Sequence, residues 1–212
     1  MADIVRANPD LMFLVKDSGV LLEGFYEEMM AATDFNDLAE KFLAALDTEA
    51  YLGVTRGGTS TNFENETRII EYDGRRVRAV GDFVVDSATP QITAPLLVQN
   101  TTNLQRIMPM SDVTRNPITG TVAIRPRLGS PQASDYMDDL SLIKQMVNGD
   151  IQVMTLFKAI NTASVTFTGD DKSESVVSCT FTGNARNWRD TEYAPVEINT
   201  WPANYTAPPV TP

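Results

Sequence analysis

The side chains that could do chemistry in this chain are carboxylates. The 212 residues hold 28 Asp and Glu against 17 Lys and Arg, one cysteine, Cys179, and no histidine. Without imidazole there is no Ser-His-Asp or Cys-His relay, no His-ligated zinc, and no commonest general base near neutral pH. A carboxylate-rich chain still has glycoside hydrolysis, which needs two carboxyl groups flanking one bond, or an oxygen-ligated metal. Asp138, Asp139, Asp150, Asp170 and Asp171 are the candidates for a metal, but they lack the regular ligand spacing of a calcium loop, and aspartate is a common turn former. No acidic pair stands out from that background. Gly53, Gly57 and Gly58 around Thr55 lack the lysine and helix start of a phosphate loop. Cys179 alternates with apolar residues, which places it in a core. The expectation is no enzyme, no cofactor and no metal.

The formal net charge of −11 argues against salt-dependent binding to a phosphate backbone and favours solubility and repulsion from DNA. A lone cysteine cannot form an internal disulfide. No run approaches the roughly 18 apolar residues of a membrane span, and the N-terminus lacks the basic flank of a signal peptide. These features predict a chain made in the cytoplasm and not inserted in a membrane. With 42% hydrophobic and 21% charged residues, it reads as globular, with one main domain.

The elements that would position these residues are mostly strands. Within residues 34–46, Phe35, Leu38, Phe42, Leu43 and Leu46 fall at helical spacing behind a Thr33 or Asp34 cap, which predicts one amphipathic helix covering a sheet of the same subunit. Residues 1–33 carry two apolar clusters without a clean period and read as an arm. After Tyr51 the texture changes to short β-like runs. Asp73-Gly74 lies between runs 68–72 and 76–80 at hairpin spacing, a strand over 82–86 leads to Pro90, and 91–98 alternates loosely before a short helix over 103–108. Pro109, Pro117, Pro126 and Pro131 mark a long loop or edge strand.

The strongest local signal is Asn148-Gly149-Asp150 between runs 137–147 and 151–157, because Asn-Gly supplies the positive φ of a tight hairpin. In the second run Ile151, Val153 and Thr155 face one way and Gln152, Met154 and Leu156 the other. Neither face is strongly polar, so both are expected to be covered, as neighbours in a ring or stack would cover them. Val165 and Phe167 alternate with Thr166 and Thr168, Gly169-Asp170-Asp171 turns the chain, and Val177, Cys179 and Phe181 then alternate with Ser178, Thr180 and Thr182, which predicts a half-buried hairpin. Beyond Ile198, Trp201, Pro202, Pro208, Pro209 and Pro212 predict an extended tail. The division is an arm and helix over 1–50, a β domain over 51–198 and a Pro-rich tail over 199–212.

The order of these strands and the residues at their turns resemble the major tail tube subunits of long-tailed bacteriophages. The stretches that carry the resemblance are Tyr51-Leu52-Gly53 with Thr55 and Gly57-Gly58; Glu66-Thr67-Arg68-Ile69-Ile70 before Asp73-Gly74; Gly81; and Thr101-Thr102-Asn103-Leu104. They continue with Tyr136-Met137-Asp138-Asp139-Leu140, Asn148-Gly149-Asp150, the segment 156–161, Asp171-Lys172-Ser173-Glu174 and Tyr193-Ala194-Pro195-Val196-Glu197-Ile198. It covers residues 51–198 and carries nothing for the first 50 residues or the tail. It implies a mainly β fold of the tail-tube sandwich or barrel type with one flanking α-helix, whose strands join a ring-wide barrel. It further implies stacked homo-hexameric rings in the virion tail, assembled in the host cytoplasm with a tape measure protein, a tail terminator and baseplate or distal tail proteins. DNA would pass through the tube without specific binding.

On that expectation Glu64, Glu66, Glu71, Asp73, Asp82 and Asp86 are candidates for a lumen-facing acidic lining, and the hairpin turns at Asp73-Gly74 and Asn148-Gly149-Asp150 are candidates for assembly. Arg68, Arg75, Arg76 and Arg78 complicate the lining, since alternating charges across a hairpin equally suit ion pairs. The loop over 109–131 and the N-terminal arm are candidates for ring-to-ring contact. The inner tube of a contractile tail or injection machine is a close variant, and a carbohydrate-binding β-sandwich a more distant one, for which only Trp188, Trp201 and scattered tyrosines are available as exposed aromatics.

Overall fold

The helical spacing in the sequence produces a helix where expected. In the structure, a computed structural model describing residues 19–55, 58–71, 77, 80–97, 101–146, 148–166, 176–187 and 192–203, helix α2 spans Phe35–Leu46. The Asp34 carboxylate caps it, accepting the Asn36 and Asp37 amides at 2.9 Å each. Two short helices accompany it, α1 (Tyr26–Met30) and α3 (Thr101–Ile107). The rest is antiparallel β: β1 Val20–Glu23, β2 Tyr51–Val54, β3 Ser60–Ile69, β4 Phe83–Leu97, β5 Ser111–Arg115, β6 Val122–Pro126, β7 Met137–Gln145, β8 Ile151–Asn161, β9 Val176–Thr182 and β10 Val196–Trp201. The fold is mainly β.

The main sheet runs β2-β1-β7-β8-β9-β4-β3, with β10 also on β8. Strand β8 serves two halves. Its residues Ile151 to Leu156 pair with β10, and Ile160 and Asn161 pair with β9. Between them Lys158 adopts a positive φ of 44°, a left-handed kink that re-aims the strand. The first half (β2-β1-β7-β8-β10) and the second (β8-β9-β4-β3) face each other across a core that includes Leu52, Leu142 and Leu156 from one side and Ile92, Cys179 and Phe181 from the other. Among the described residues the sheet does not close into a barrel, since β2 and β4 meet only at the bridge from Thr55 to Leu96.

Several expectations change here. The segment read as an arm contributes β1, which lies between β2 and β7 in the middle of the first half. Both faces of β8 are covered, but by this chain itself. Ile151 and Val153 pack under Phe35, Leu38 and Phe42 of α2, while Met154 and Leu156 enter the core between the halves. Helix and opposing sheet thus supply the cover that neighbours were expected to give. Pro90 does not end a strand, and β4 continues through it. Residues on an antiparallel strand point N and O the same way; the Pro90 oxygen accepts the Gly183 amide where β9 has already ended, so its missing N–H costs no ladder bond. The Pro-rich stretch folds as a separate hairpin, β5 against β6. Of the hairpin expected over 165–182 only the second strand, β9, is found, since Val165 and Thr166 are not in a strand and residues 167–175 lie outside the described ones.

The kink in β8 is stitched from both sides. The Phe157 amide donates to the Pro195 oxygen at 3.0 Å, and its carbonyl accepts the Asn184 amide at 2.8 Å. At Gly183 an added Cβ would lie 2.8 Å from the Pro195 oxygen, a backbone atom that cannot swing away. Gly183→Ala is therefore expected to destabilise the fold by about 1–3 kcal/mol, read as a lowered urea midpoint with an unchanged slope.

Candidate assembly surface

Strands β3 and β4 pair over ten residues, from Ser60 opposite Thr93 to Ile69 opposite Phe83, with a bulge after Glu66. Only the base of this ribbon is backed by β9, which stops at Thr182 opposite Gln91. Every residue of β3 from Ser60 to Arg68 is exposed. Isolated two-stranded ribbons are marginal in water, and an uncovered ten-residue edge is a template for another strand. Among the described residues nothing pairs with the outer edge of β3.

The ribbon is amphipathic across its two faces. Ile92, Ala94 and Leu96 point into the core, so their neighbours Gln91, Thr93 and Pro95 point out, and the register carries that face onto Ser60, Asn62, Glu64 and Glu66 of β3 and Ser178, Thr180 and Thr182 of β9. It is a surface of hydroxyls and amides, with Thr93 and Thr180 in contact at 3.1 Å and Thr162 and Thr182 at 3.0 Å. The opposite face leaves the core and carries its apolar character outward: Phe63, Phe83 and Val85 are 43%, 58% and 57% exposed.

The six acidic candidates do not form one lining. Glu64 and Glu66 share the hydroxyl face, and Ser87 donates to Glu66 at 3.3 Å. Asp86 forms an ion pair with Arg68 at 2.8 Å, which neutralises it locally. Asp82 is buried, which removes it from any lining, and Glu71 is exposed just past the end of β3. Asp73 and Gly74 lie outside the described residues, as do Asp170 and Asp171. Asn148, Gly149 and Asp150 form the expected turn, with Gly149 at φ 92°. Asp150 there accepts the Ala203 amide at 2.9 Å, so this turn fastens the end of β10 in the same chain.

Residues with no sequence signal hold the ends of the sheet. Buried Asn103 donates to the Leu52 oxygen at 2.9 Å, and buried Asn161 donates to the Ile107 oxygen at 2.7 Å while accepting the Thr180 amide at 3.0 Å. Asp139, read as a turn residue, is buried in β7 and accepts the Tyr26 amide at the start of α1. Burial holds its carboxyl above the usual range against the opposing pull of the Tyr26, Phe25 and Gly24 amides. Burial likewise raises Glu23, which is paired with Arg106. A carboxyl with a raised folded pKa binds its proton more tightly when folded, so its contribution is fully present below the unfolded pKa and is lost as pH rises through the folded one. Urea midpoints are therefore expected to fall as pH rises above about 4, and Asp139→Asn, which keeps an acceptor for Tyr26, to flatten that fall.

The remaining chemistry is sparse. Burial pushes the Cys179 thiol up to about 12, far from a reactive thiolate. Among the described residues no group of three Cys, Asp or Glu is placed to hold a metal, and no helix is long and apolar enough to cross a membrane. No protein-family model matches the chain, and no curated protein matches it.

Proposed function

We propose that the chain is a self-assembling virion structural protein, the subunit of a phage tail tube. The observation that carries this reading is the β3–β4 ribbon: an uncovered strand edge, an apolar face with Phe63, Phe83 and Val85 in water, and a polar face continuous with the sheet. Sheet extension by a neighbouring copy covers both the edge and the apolar face, and six copies joined this way close a ring-wide barrel whose inner wall is the hydroxyl face. That wall suits a conduit. Its Ser, Thr, Asn and Gln offer a passing polyanion no cation, Arg68 at the end of that face is paired with Asp86, and Glu64 and Glu66 repel the polyanion. The turn and strand order that resemble tail tube subunits supply the ring number, the stacking, and the partners: tape measure protein, terminator and distal tail proteins.

Electron microscopy of the purified protein tests this. Rings or stacked tubes at high concentration, with six-fold end views, are the expected result. A monodisperse monomer under the same conditions, unchanged by added distal tail proteins, would sink the reading.

A further inference from the structure

The turn at Asn148-Gly149-Asp150 brings together groups that can react with one another. The chain has no other Asn-Gly pair. Asn148 is exposed, and Asp150 grips its side-chain amide from both ends: Nδ2 donates to the Asp150 carboxylate at 2.6 Å, and Oδ1 accepts the Asp150 amide at 3.2 Å. The second contact aims a backbone N–H at the oxygen that turns negative when a nucleophile adds to Cγ, as an oxyanion hole does. The nucleophile is tethered to it. The Gly149 nitrogen, one residue on, can close a succinimide ring with Cγ, and glycine carries no side chain to shield the attack. Asn103 and Asn161 differ on each count, being buried, bonded through their side chains to backbone oxygens, and followed by Leu104 and Thr162.

The turn also holds the reaction back. The Gly149 amide donates to the Met146 oxygen at 2.9 Å, and the Met146 amide closes the turn on the Asp150 oxygen at 2.8 Å. The Gly149 nitrogen must leave its bond before it can lose a proton and add to Cγ. Opening of the turn therefore sets the rate, a local event that needs no global unfolding.

We propose that Asn148 is a site of spontaneous covalent modification, converted to aspartate and isoaspartate with release of the end of β10. Hydroxide takes the Gly149 amide proton, the nitrogen bonds to Cγ, and the Cγ–Nδ2 bond breaks, Nδ2 leaving as ammonia with a proton from water. A water molecule then opens the succinimide, at Cγ to give aspartate or at the Asn148 backbone carbonyl to give isoaspartate. The sum consumes one water and releases one ammonia, with nothing oxidised or reduced. Either product loses the Nδ2 donor and adds a negative charge beside Asp150, and isoaspartate also lengthens the turn by a methylene. Asp150 holds the Ala203 amide at 2.9 Å, so its displacement by like charge frees the end of β10, where Trp201 pairs with Ile151. No contact of the β3–β4 ribbon takes part, so the inference stands apart from the assembly reading.

The full-length protein, folded and in urea, is incubated at neutral and mildly alkaline pH and followed by peptide mass mapping and by methylation with an isoaspartyl methyltransferase. The expected result is an amide-to-acid mass gain at Asn148 in the folded protein, faster at the higher pH and absent from Asn148→Gln, whose longer side chain disfavours the ring. Conversion of Asn148 in urea but not in the folded chain overturns the inference, and so does a folded chain that converts first at another asparagine. Release of β10 is read separately, by hydrogen exchange at the Ala203 amide. Asn148→Asp, which carries the product charge on an unaltered backbone, should speed that exchange by about tenfold while the amides of β7 keep their protection. Exchange at Ala203 equal to that of the wild type overturns the release.

Discussion

Phe181→Ala is expected to destabilise the fold by about 3–5 kcal/mol, a large share of the 5–15 kcal/mol typical of a domain. The ring is fully buried at the meeting of the two halves, with Ile92 opposite on β4 and Asn161 opposite on β8. Truncation removes the transfer energy of the ring and leaves a void that flanking strands cannot fill, because the Asn161 amide pins Thr180 and Ile107 around it. Phe181→Leu keeps most of the volume and should cost under about 1.5 kcal/mol. Urea unfolding of the three proteins gives both numbers. A loss below about 1 kcal/mol for Phe181→Ala would mean that the two halves do not share one core.

The second large effect falls on assembly. Phe63→Glu with Val85→Glu places two carboxylates on the apolar face of the ribbon, where Phe63 is 43% and Val85 57% exposed in the isolated chain. Stability should change by less than about 1 kcal/mol. Covering the two apolar side chains with a neighbour is worth about 3 kcal/mol at each contact, so their loss should raise the concentration needed for assembly by more than about a hundredfold. Sedimentation velocity reads that shift, and Phe63→Leu with Val85→Ile serves as the control that keeps the face apolar. Assembly unaffected by the double glutamate variant would place the contact elsewhere.

Local chemistry made much of the fold legible. Asp34, the apolar spacing through Leu46, Asn148-Gly149 and the alternation from Val177 to Thr182 are short-range signals, and each yields its element. Long-range pairing left little trace. Nothing in Val20 to Glu23 says that they form an interior strand, because three apolar residues and a glutamate are equally compatible with an arm. Pro90 misled because its tolerance depends on where β9 stops. The acidic set divided for the same reason. A carboxylate on a strand becomes a lining, an ion pair or a buried group according to its face and its partner, and the bulge after Glu66 shifts the faces midway. Asn103, Asn161 and Asn184 act through backbone atoms far away in sequence, which composition does not encode.

Strand β8 also has a mechanical consequence. A sandwich whose sheets touch only through side chains can shear or peel once its core is strained, whereas here one uninterrupted backbone passes through the Lys158 bend into both sheets. Tension carried from the ribbon crosses the ladders of β4 and β9, enters β8 at Ile160 and Asn161, and follows its backbone through the bend to the ladders with β7 and β10. At the bend the link between the sheets is covalent, so under load the ladder of two residue pairs between β8 and β9 gives way before the bend does.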